Sequence, residues 1–391
     1  MDIVEFLAQY YDDDIEAIIK VIEYTISFGT LEKTLQEKVI ENREWLISKG
    51  YSEEEINEIT KSSPMLYGYS TQALEEKRNW FLLKGYSEKE INKMTKSQPS
   101  LYVTSADRLE EKRNWLMSKG YSEEEINRMT INLSKLYSYS IKRLEEKRKW
   151  FISKGYSEEE TNKMTKFSTS LYSYSIERLE EKRKWFLSKG YSEKEINKIT
   201  KKSPVLYTIS IERLEEKRKW FISKGYSEEE INKMAKTSPV LYTLSTDRLE
   251  DSYNNYLENG YNEQQIRVMT VRISGLYSFS KQNVNNKLAF YNSIGIDHKH
   301  FVNLPGDLIQ GVELSIARYN LLQDLCVDME LLNKNIFFKN NEKFTSFFNI
   351  SNAELKELYK EEIEETMSKL NHPEQMEHGK GRKRTKPESR S

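Results

Sequence analysis

The sequence predicts an all-α protein: a right-handed, curved α-solenoid of 35-residue helix–helix–short-turn repeats, closed at both ends by helical caps. Three observations carry that prediction. Gly50, Gly85, Gly120, Gly155, Gly190, Gly225, Gly260 and Gly295 step by a constant 35 residues, a period in the range that marks stacked repeats. Trp45, Trp80, Trp115, Trp150, Trp185 and Trp220 keep the same step, as do Tyr67, Tyr102, Tyr137, Tyr172, Tyr207, Tyr242 and Tyr277. Each copy also carries helix start and stop signals, and none shows the alternation of a strand.

Residues 1–29 stand outside the period. Their acidic cluster at Asp12, Asp13 and Asp14 and their lack of arginine argue against a transit peptide. Asp14 is placed to cap a helix whose Ile15, Ile18, Ile19 and Ile22 face the first full repeat, so the segment is expected to be an N-terminal helical cap.

Residues 30–310 form the array, and the copy from Ser175 to Ile209 shows its logic. Ser175 caps a first helix, which Gly190 ends in a left-handed conformation. Ile176, Leu179 and Phe186 share one stripe, with Trp185 at its border. Acids come early in this helix and bases late, as the macrodipole prefers. Ser192 and Glu195 form a capping box for a second helix, and Tyr191 and Ile196 a hydrophobic staple. Ile196 and Ile199 make its short apolar face. Ser203-Pro204 then opens a brief third turn ending in Leu206-Tyr207. One copy has too few apolar side chains to offset the entropy of ordering it, so it must stack on its neighbours. From Arg248 the pattern decays: Asn255 replaces tryptophan, and Asn283, Asn285 and Asn286 dilute the charge, as terminal repeats do.

Residues 311–371 are expected to be a helical C-terminal cap. They hold a Phe-rich patch (Phe337, Phe338, Phe344, Phe347, Phe348) and a last helix capped by Ser351 and Glu354. Residues 372–391, containing GKGRKRTK, are expected to be a disordered basic tail able to hold phosphates without specificity.

The recurring frame is S-x-x-x-L-x-x-K-x-x-(aromatic)-(apolar)-x-x-x-G-(aromatic)-S-x-x-x-I, then S-P-x-L-Y. It is carried here by Leu179, Trp185-Phe186, Gly190, Ser192, Ile196, Ile199, Pro204 and Leu206. This frame resembles the repeat of the mitochondrial transcription termination factor (mTERF) family. The likeness runs from about residue 31 to 310, and the segment from Gly311 to Asp328 resembles the family's closing repeat. It implies two helices and a short, Pro-opened third per repeat, arranged as a curved solenoid that binds nucleic acid. Three features depart from it. Ser134, Thr169 and Ser274 stand where proline is expected, Arg183 and its counterparts take a position usually apolar in the family, and residues 1–29 are not expected to be an organelle-targeting segment.

Composition narrows the class. Charged residues are 31% and hydrophobic ones 37%, a balance that fits a thin-cored array better than one large globular core. The single cysteine, Cys326, excludes an internal disulfide and suits a reducing compartment. No apolar run reaches the roughly 18 residues of a membrane span, and a cytoplasmic location is expected. The net charge of −1 hides an asymmetry: residues 1–69 are net −9, whereas residues 70–244 carry 36 basic and 26 acidic residues, net +10. A basic middle is the footprint of a nucleic-acid binder, although helix-surface Glu/Lys pairs also drift in charge.

Three cationic ladders are candidate phosphate contacts, because an array turns each into a stripe. The first is Arg78, Arg113, Arg148, Arg183 and Arg218, which continues back to Arg43. The second is Arg108, Arg143, Arg178 and Arg213, extended by Arg248. The third is Lys84, Lys119, Lys154, Lys189 and Lys224, which continues back to Lys49. The first ladder falls near the apolar stripe, so it either snorkels or lines a groove. The lysines sit in a last helical turn, where a base also serves the dipole. The tryptophans are expected to be core rather than a base-stacking platform. The copies differ most around the Pro turn, at Ser62, Ser97, Asn132, Phe167, Lys202 and Thr237, and at Met65, Ser100, Lys135, Ser170, Val205 and Val240. These are either readout positions on a constant background or scatter in an unconstrained loop.

No phosphate loop, dinucleotide fingerprint, Cys/His metal spacing or nucleophile elbow is present. His298 and His300 are two apart and point to different faces, and His372 and His378 lie at or in the tail. No enzymatic activity, cofactor or metal is expected. Two readings remain: a monomeric nucleic-acid-binding solenoid acting in transcription, on DNA ahead of RNA, or a solenoid scaffold for protein partners.

Overall fold

Serine and glycine set the helix boundaries. The Ser192 hydroxyl accepts the Glu195 backbone N–H while the Glu195 carboxylate accepts that of Ser192. The same reciprocal box opens the second helix of each copy from Ser52 to Ser227 and, with Asn262 and Gln265, of the next. Gly190 has φ +84°, a left-handed conformation that L side chains adopt only under strain, and it turns the chain out of the first helix. The third turn is a 3₁₀ helix, as in Pro204–Tyr207. It also forms where Ser134, Thr169 or Ser274 replaces proline. Leu133 before Ser134 and Ser203 before Pro204 share nearly the same backbone angles (φ −142° and −140°), so the turn does not depend on the ring.

A computed structural model describes residues 2–11, 14–27, 32–325, 337–338 and 341–372. It is all-helical, with no strand among the described residues. Two helices precede the array, α1 (Ile3–Tyr11) and α2 (Ile15–Ser27). First helices of the repeats are α3 (Glu32–Ser48), α5 (Thr71–Leu83), α7 (Ala106–Ser118), α9 (Ile141–Ser153), α11 (Ile176–Ser188), α13 (Ile211–Ser223), α15 (Thr246–Glu258) and α17 (Lys281–Ser293). Second helices are α4 (Glu53–Ser62), α6 (Glu88–Ser97), α8 (Glu123–Asn132), α10 (Glu158–Phe167), α12 (Glu193–Lys202), α14 (Glu228–Thr237), α16 (Glu263–Arg272) and α18 (Lys299–Asn303). The chain divides into two compact units, Met1–Arg183 and Lys184–Ser391.

Within each unit the copies stack as a solenoid through shared apolar clusters. In the first, Phe81, Tyr86, Ile91, Met94, Leu101 and Leu109 bury against Tyr137 of the following copy. In the second, Phe186, Tyr191, Ile196, Ile199, Leu206 and Leu214 bury against Tyr242. Phenol pairs also join successive copies, such as Tyr86 and Tyr137 in the first unit with hydroxyls 3.1 Å apart and Tyr191 and Tyr242 in the second at 3.3 Å. Every tyrosine of the Leu-Tyr pairs from Tyr67 to Tyr277 is buried. Of the tryptophans, only Trp150 and Trp185 are, and Trp45, Trp80, Trp115 and Trp220 are half-buried at the stripe's border.

The N-terminal helices correct one expectation. Asp14 does cap α2, accepting the Ala17 N–H at 3.1 Å. However, Ile15 and Ile19 are exposed, and the buried stripe is Ala17, Ile18 and Val21, packed on Phe6, Leu7 and Tyr11 of α1. At the other end, α19 (Val312–Asp324) is followed by helices Asn341–Phe348, Asn352–Leu358 and Lys360–Asn371. Arg318 is fully buried and donates to Gln310 Oε1 (2.7 Å) and the Phe337 carbonyl (3.0 Å). Phe344 packs with Leu314, Ala317, Leu355 and Tyr359, and Phe337 joins the cluster of Tyr291 and Phe301, whereas Phe347 is exposed. Cys326 and the basic tail beyond His372 lie outside the described residues.

Candidate nucleic-acid interface

Because a short glycine loop joins the two helices of each copy and they pack on one another, as α7 does on α8, they run antiparallel. The glycine loops therefore lie on one edge of each unit and the 3₁₀ turns on the other. This geometry separates the three cationic ladders.

The first ladder is in the core. Arg78, Arg113, Arg148, Arg183 and Arg218 are each no more than 1% exposed. Arg78 Nη1 donates to Asn92 Oδ1 (2.9 Å) and the Tyr102 hydroxyl (3.0 Å), and Nη2 pairs with Glu88. Arg148 Nη1 reaches Asn162 Oδ1 (2.6 Å) and the Tyr121 hydroxyl (3.0 Å), with Glu158 on Nη2. Arg113 meets Asn127, Tyr86 and Tyr137, Arg218 meets Asn232, Tyr242 and Glu228, and Arg183 donates to the Tyr156 hydroxyl. Groove-lining therefore gives way to a structural role: a guanidinium held on these partners and sealed from water at no more than 1% exposure presents no face to a phosphate. The sequence signal for it is a ladder of asparagines, Asn57, Asn92, Asn127, Asn162, Asn197 and Asn232, at the same 35-residue step. These side chains also reach back one copy, Asn92 Nδ2 donating to the Lys49 carbonyl (2.8 Å) and Asn127 to that of Lys84 (2.8 Å).

The lysine ladder lies on the glycine-loop edge and is already paired. Lys84 meets Glu110 (2.8 Å), Lys119 meets Glu145 (3.0 Å) and Lys154 meets Glu180 in the first unit. In the second, Lys189 meets Glu215 (2.6 Å) and Lys224 meets Glu250 (2.8 Å). Each ammonium also sits 5.6–5.9 Å from the ring of the tryptophan one turn earlier. The hydrogen bond from Lys224 is the first cause that holds the Glu250 carboxyl below its ordinary range, with Trp220 Nε1 donating to the same group. These triads tie successive first helices together.

The second ladder faces water, at the 3₁₀ edge. Arg108, Arg143 and Arg178 in the first unit, and Arg213 and Arg248 in the second, are all exposed. Among the described residues none lies within ion-pairing distance of a carboxylate. Arg143 stacks its guanidinium 4.5 Å from the Tyr139 ring and donates to the Ser173 carbonyl (3.2 Å). Arg108 opens onto a groove of about 450 Å³ shared with Ser100, Thr104, Lys112 and Tyr139. Lys112 and Lys147 are buried beneath this edge. They donate to the carbonyls that end the 3₁₀ turns, Lys112 to Tyr139 and Lys147 to Tyr172 (2.5 Å) and Tyr174. Burial, with the Arg143 charge adding to it, pushes the Lys147 ammonium down to about 8.

The positions that vary between copies are at this same edge. Ser62, Ser97, Asn132, Phe167, Lys202 and Thr237 are exposed, as are Lys135 and Val240, while Met65, Ser100, Ser170 and Val205 are half-buried. No group of three His, Cys or carboxylate side chains suited to a metal ion occurs among the described residues. No described helix is long and apolar enough to cross a membrane.

Comparison with known proteins follows the same lines. A family model described as mTERF matches residues 15–161, 85–189 and 170–345. No curated protein matches the chain.

Proposed function

We propose, from the premise that this chain belongs to the mTERF family of nucleic-acid-binding repeat proteins, that it binds duplex DNA along the 3₁₀ edge of each unit and acts in a step of transcription. The observation that carries this reading is the ladder Arg108, Arg143 and Arg178: exposed, one per copy, and free of carboxylate partners among the described residues. Arg213 plays the same part in the second unit. An arginine held at the N-terminal end of a helix adds to the partial positive charge of the helix itself, and both attract phosphate. The lysines from Lys84 to Lys224 are secondary contacts, since each must first exchange its glutamate for a phosphate. The test is a polarisation titration of the full chain against duplex DNA and single-stranded RNA at two salt concentrations. Binding that weakens steeply with salt supports the proposal, and flat titrations on both probes at low salt overturn it.

A protein-scaffold reading has one observation in its favour. Ile47 and Ile152 in the first unit, and Leu187 and Ile222 in the second, hold an aliphatic side chain in water at one repeat position, 40–47% exposed. Flat titrations on nucleic acid would direct attention to that stripe.

A further inference from the structure

In an array of near-copies, an exposed position that changes from copy to copy beside fixed neighbours marks where the copies differ in what they touch. The last residue of each second helix behaves this way. It is Ser62, Ser97, Asn132 and Phe167 in the first unit, and Lys202, Thr237 and Arg272 in the second. From Ser62 to Thr237 all are exposed. One helical turn earlier the five copies ending at Ser97 to Thr237 hold a cation, Lys93, Arg128 and Lys163 in the first unit and Lys198 and Lys233 in the second, whereas Glu58 and Val268 take that position in the copies ending at Ser62 and Arg272.

The folded chain itself makes little use of the variable side chains in the first unit. Ser62, Ser97 and Asn132 make no side-chain hydrogen bond among the described residues. Phe167 is 72% exposed, an aromatic ring held in water. Asn132 and Phe167 line one groove of about 350 Å³ together with Arg128, Lys163 and Lys166. Arg128 and Lys163 are tied only to Glu124 and Glu159 one turn away on the same helix, exposed pairs that a phosphate displaces at small cost. In the second unit the positions of adjacent copies are neighbours, the Lys202 ammonium lying 3.5 Å from the Thr237 carbonyl. Over the five copies from Ser97 to Thr237 unconstrained drift would scatter the adjacent cations as well, and it offers no reason to hold a phenylalanine in water beside Arg128, Lys163 and Lys166.

We propose that these helix-end residues read the bases of a bound nucleic acid, one position per repeat, while the cation one turn earlier holds the backbone. Asparagine offers a donor and an acceptor to a base edge, phenylalanine a stacking face, and lysine or arginine a donor to guanine acceptors. This rests on the nucleic-acid reading above and specifies which residues give it sequence preference.

The test selects preferred sequences for the full chain from random pools of duplex DNA and of single-stranded RNA. It then repeats the selection with a variant carrying Asn132→Ser and Phe167→Ser, which places there the residue that copies ending at Ser62 and Ser97 already have. The expected result is a changed preference at one or two neighbouring positions in one pool, and about a tenfold loss of affinity for the original sequence. The melting temperature should hold, and binding to the unselected pool should fall less than binding to the original sequence. Recovery of the same sequence by the variant, or binding by the natural chain with no preference in either pool, overturns base reading and leaves the nucleic-acid proposal standing. No binding to either pool overturns both. Lys202→Ser repeats the test independently in the second unit.

Discussion

Arg148 Nη1 lies 2.6 Å from Asn162 Oδ1, and the Asn162 amide in turn donates to the Lys119 carbonyl at 2.6 Å. One guanidinium thus holds its own second helix and, through a single asparagine, the glycine loop of the copy before. Arg148→Gln should cost about 3–5 kcal/mol, because it leaves buried partners without a donor, whereas exposed Arg143→Gln should stay within about 0.5 kcal/mol. Urea unfolding of the two variants checks this. Equal and small effects would show that the buried ladder does not hold the repeats.

Binding should order the ladders in the opposite sense. The triple variant Arg108→Gln, Arg143→Gln, Arg178→Gln should weaken binding to every duplex tested and reduce the salt slope by about 0.9 for each phosphate that is no longer neutralised. Lys84→Gln, Lys119→Gln and Lys154→Gln together should change the slope less, since those charges are already matched by Glu110, Glu145 and Glu180. A larger slope change from the lysine set would move the interface to the glycine-loop edge.

Alkaline pH should reveal two opposed effects. Burial brings Lys147 and Lys287 down to about 8 from an ordinary 10.5. Below pH 8 both the folded and unfolded states are charged, and the burial cost is present in full. Between about 8 and 10.5 the folded state sheds its proton first, so stability rises with pH. The tyrosines act oppositely. Burial pushes Tyr226 up to about 12 and raises Tyr86, Tyr121 and Tyr191 as well. Unfolded phenols ionise from about pH 10 while these hold their protons, so stability is lost as pH climbs further. The urea midpoint should therefore rise from pH 8, peak near 10 and then collapse, with tyrosinate absorbance appearing only as the chain unfolds. Lys147→Asn should flatten the rise, because Asn42 at the same repeat position already donates to the carbonyls of Leu66 and of Tyr69, the counterpart of Tyr174.

How much of this could be read from residues alone depended on distance along the chain. The boundaries of α12 were legible because their signals are local: Ser192 with Glu195 three residues on, and Gly190 at the turn. The burial of Arg148 was not, since Asn162 and Tyr121 lie 14 and 27 residues away and a guanidinium near an apolar stripe has several possible fates. The stripe of α2 was misplaced for a related reason. Without α1, and so without Phe6, Leu7 and Tyr11, nothing marks Ile18 rather than Ile15 and Ile19 as the inward face.

The links within and between copies have fixed offsets: 14 residues from arginine to asparagine inside a copy, 43 from asparagine back to a carbonyl of the copy before, 51 between paired phenols. Deletion or duplication of one whole 35-residue copy preserves every one of them, whereas a single-residue insertion in a helix breaks several together. Array length is therefore quantised. Unequal recombination between the nearly identical copies would generate longer and shorter chains that still fold, and each event would add or remove one helix-end residue at the 3₁₀ edge.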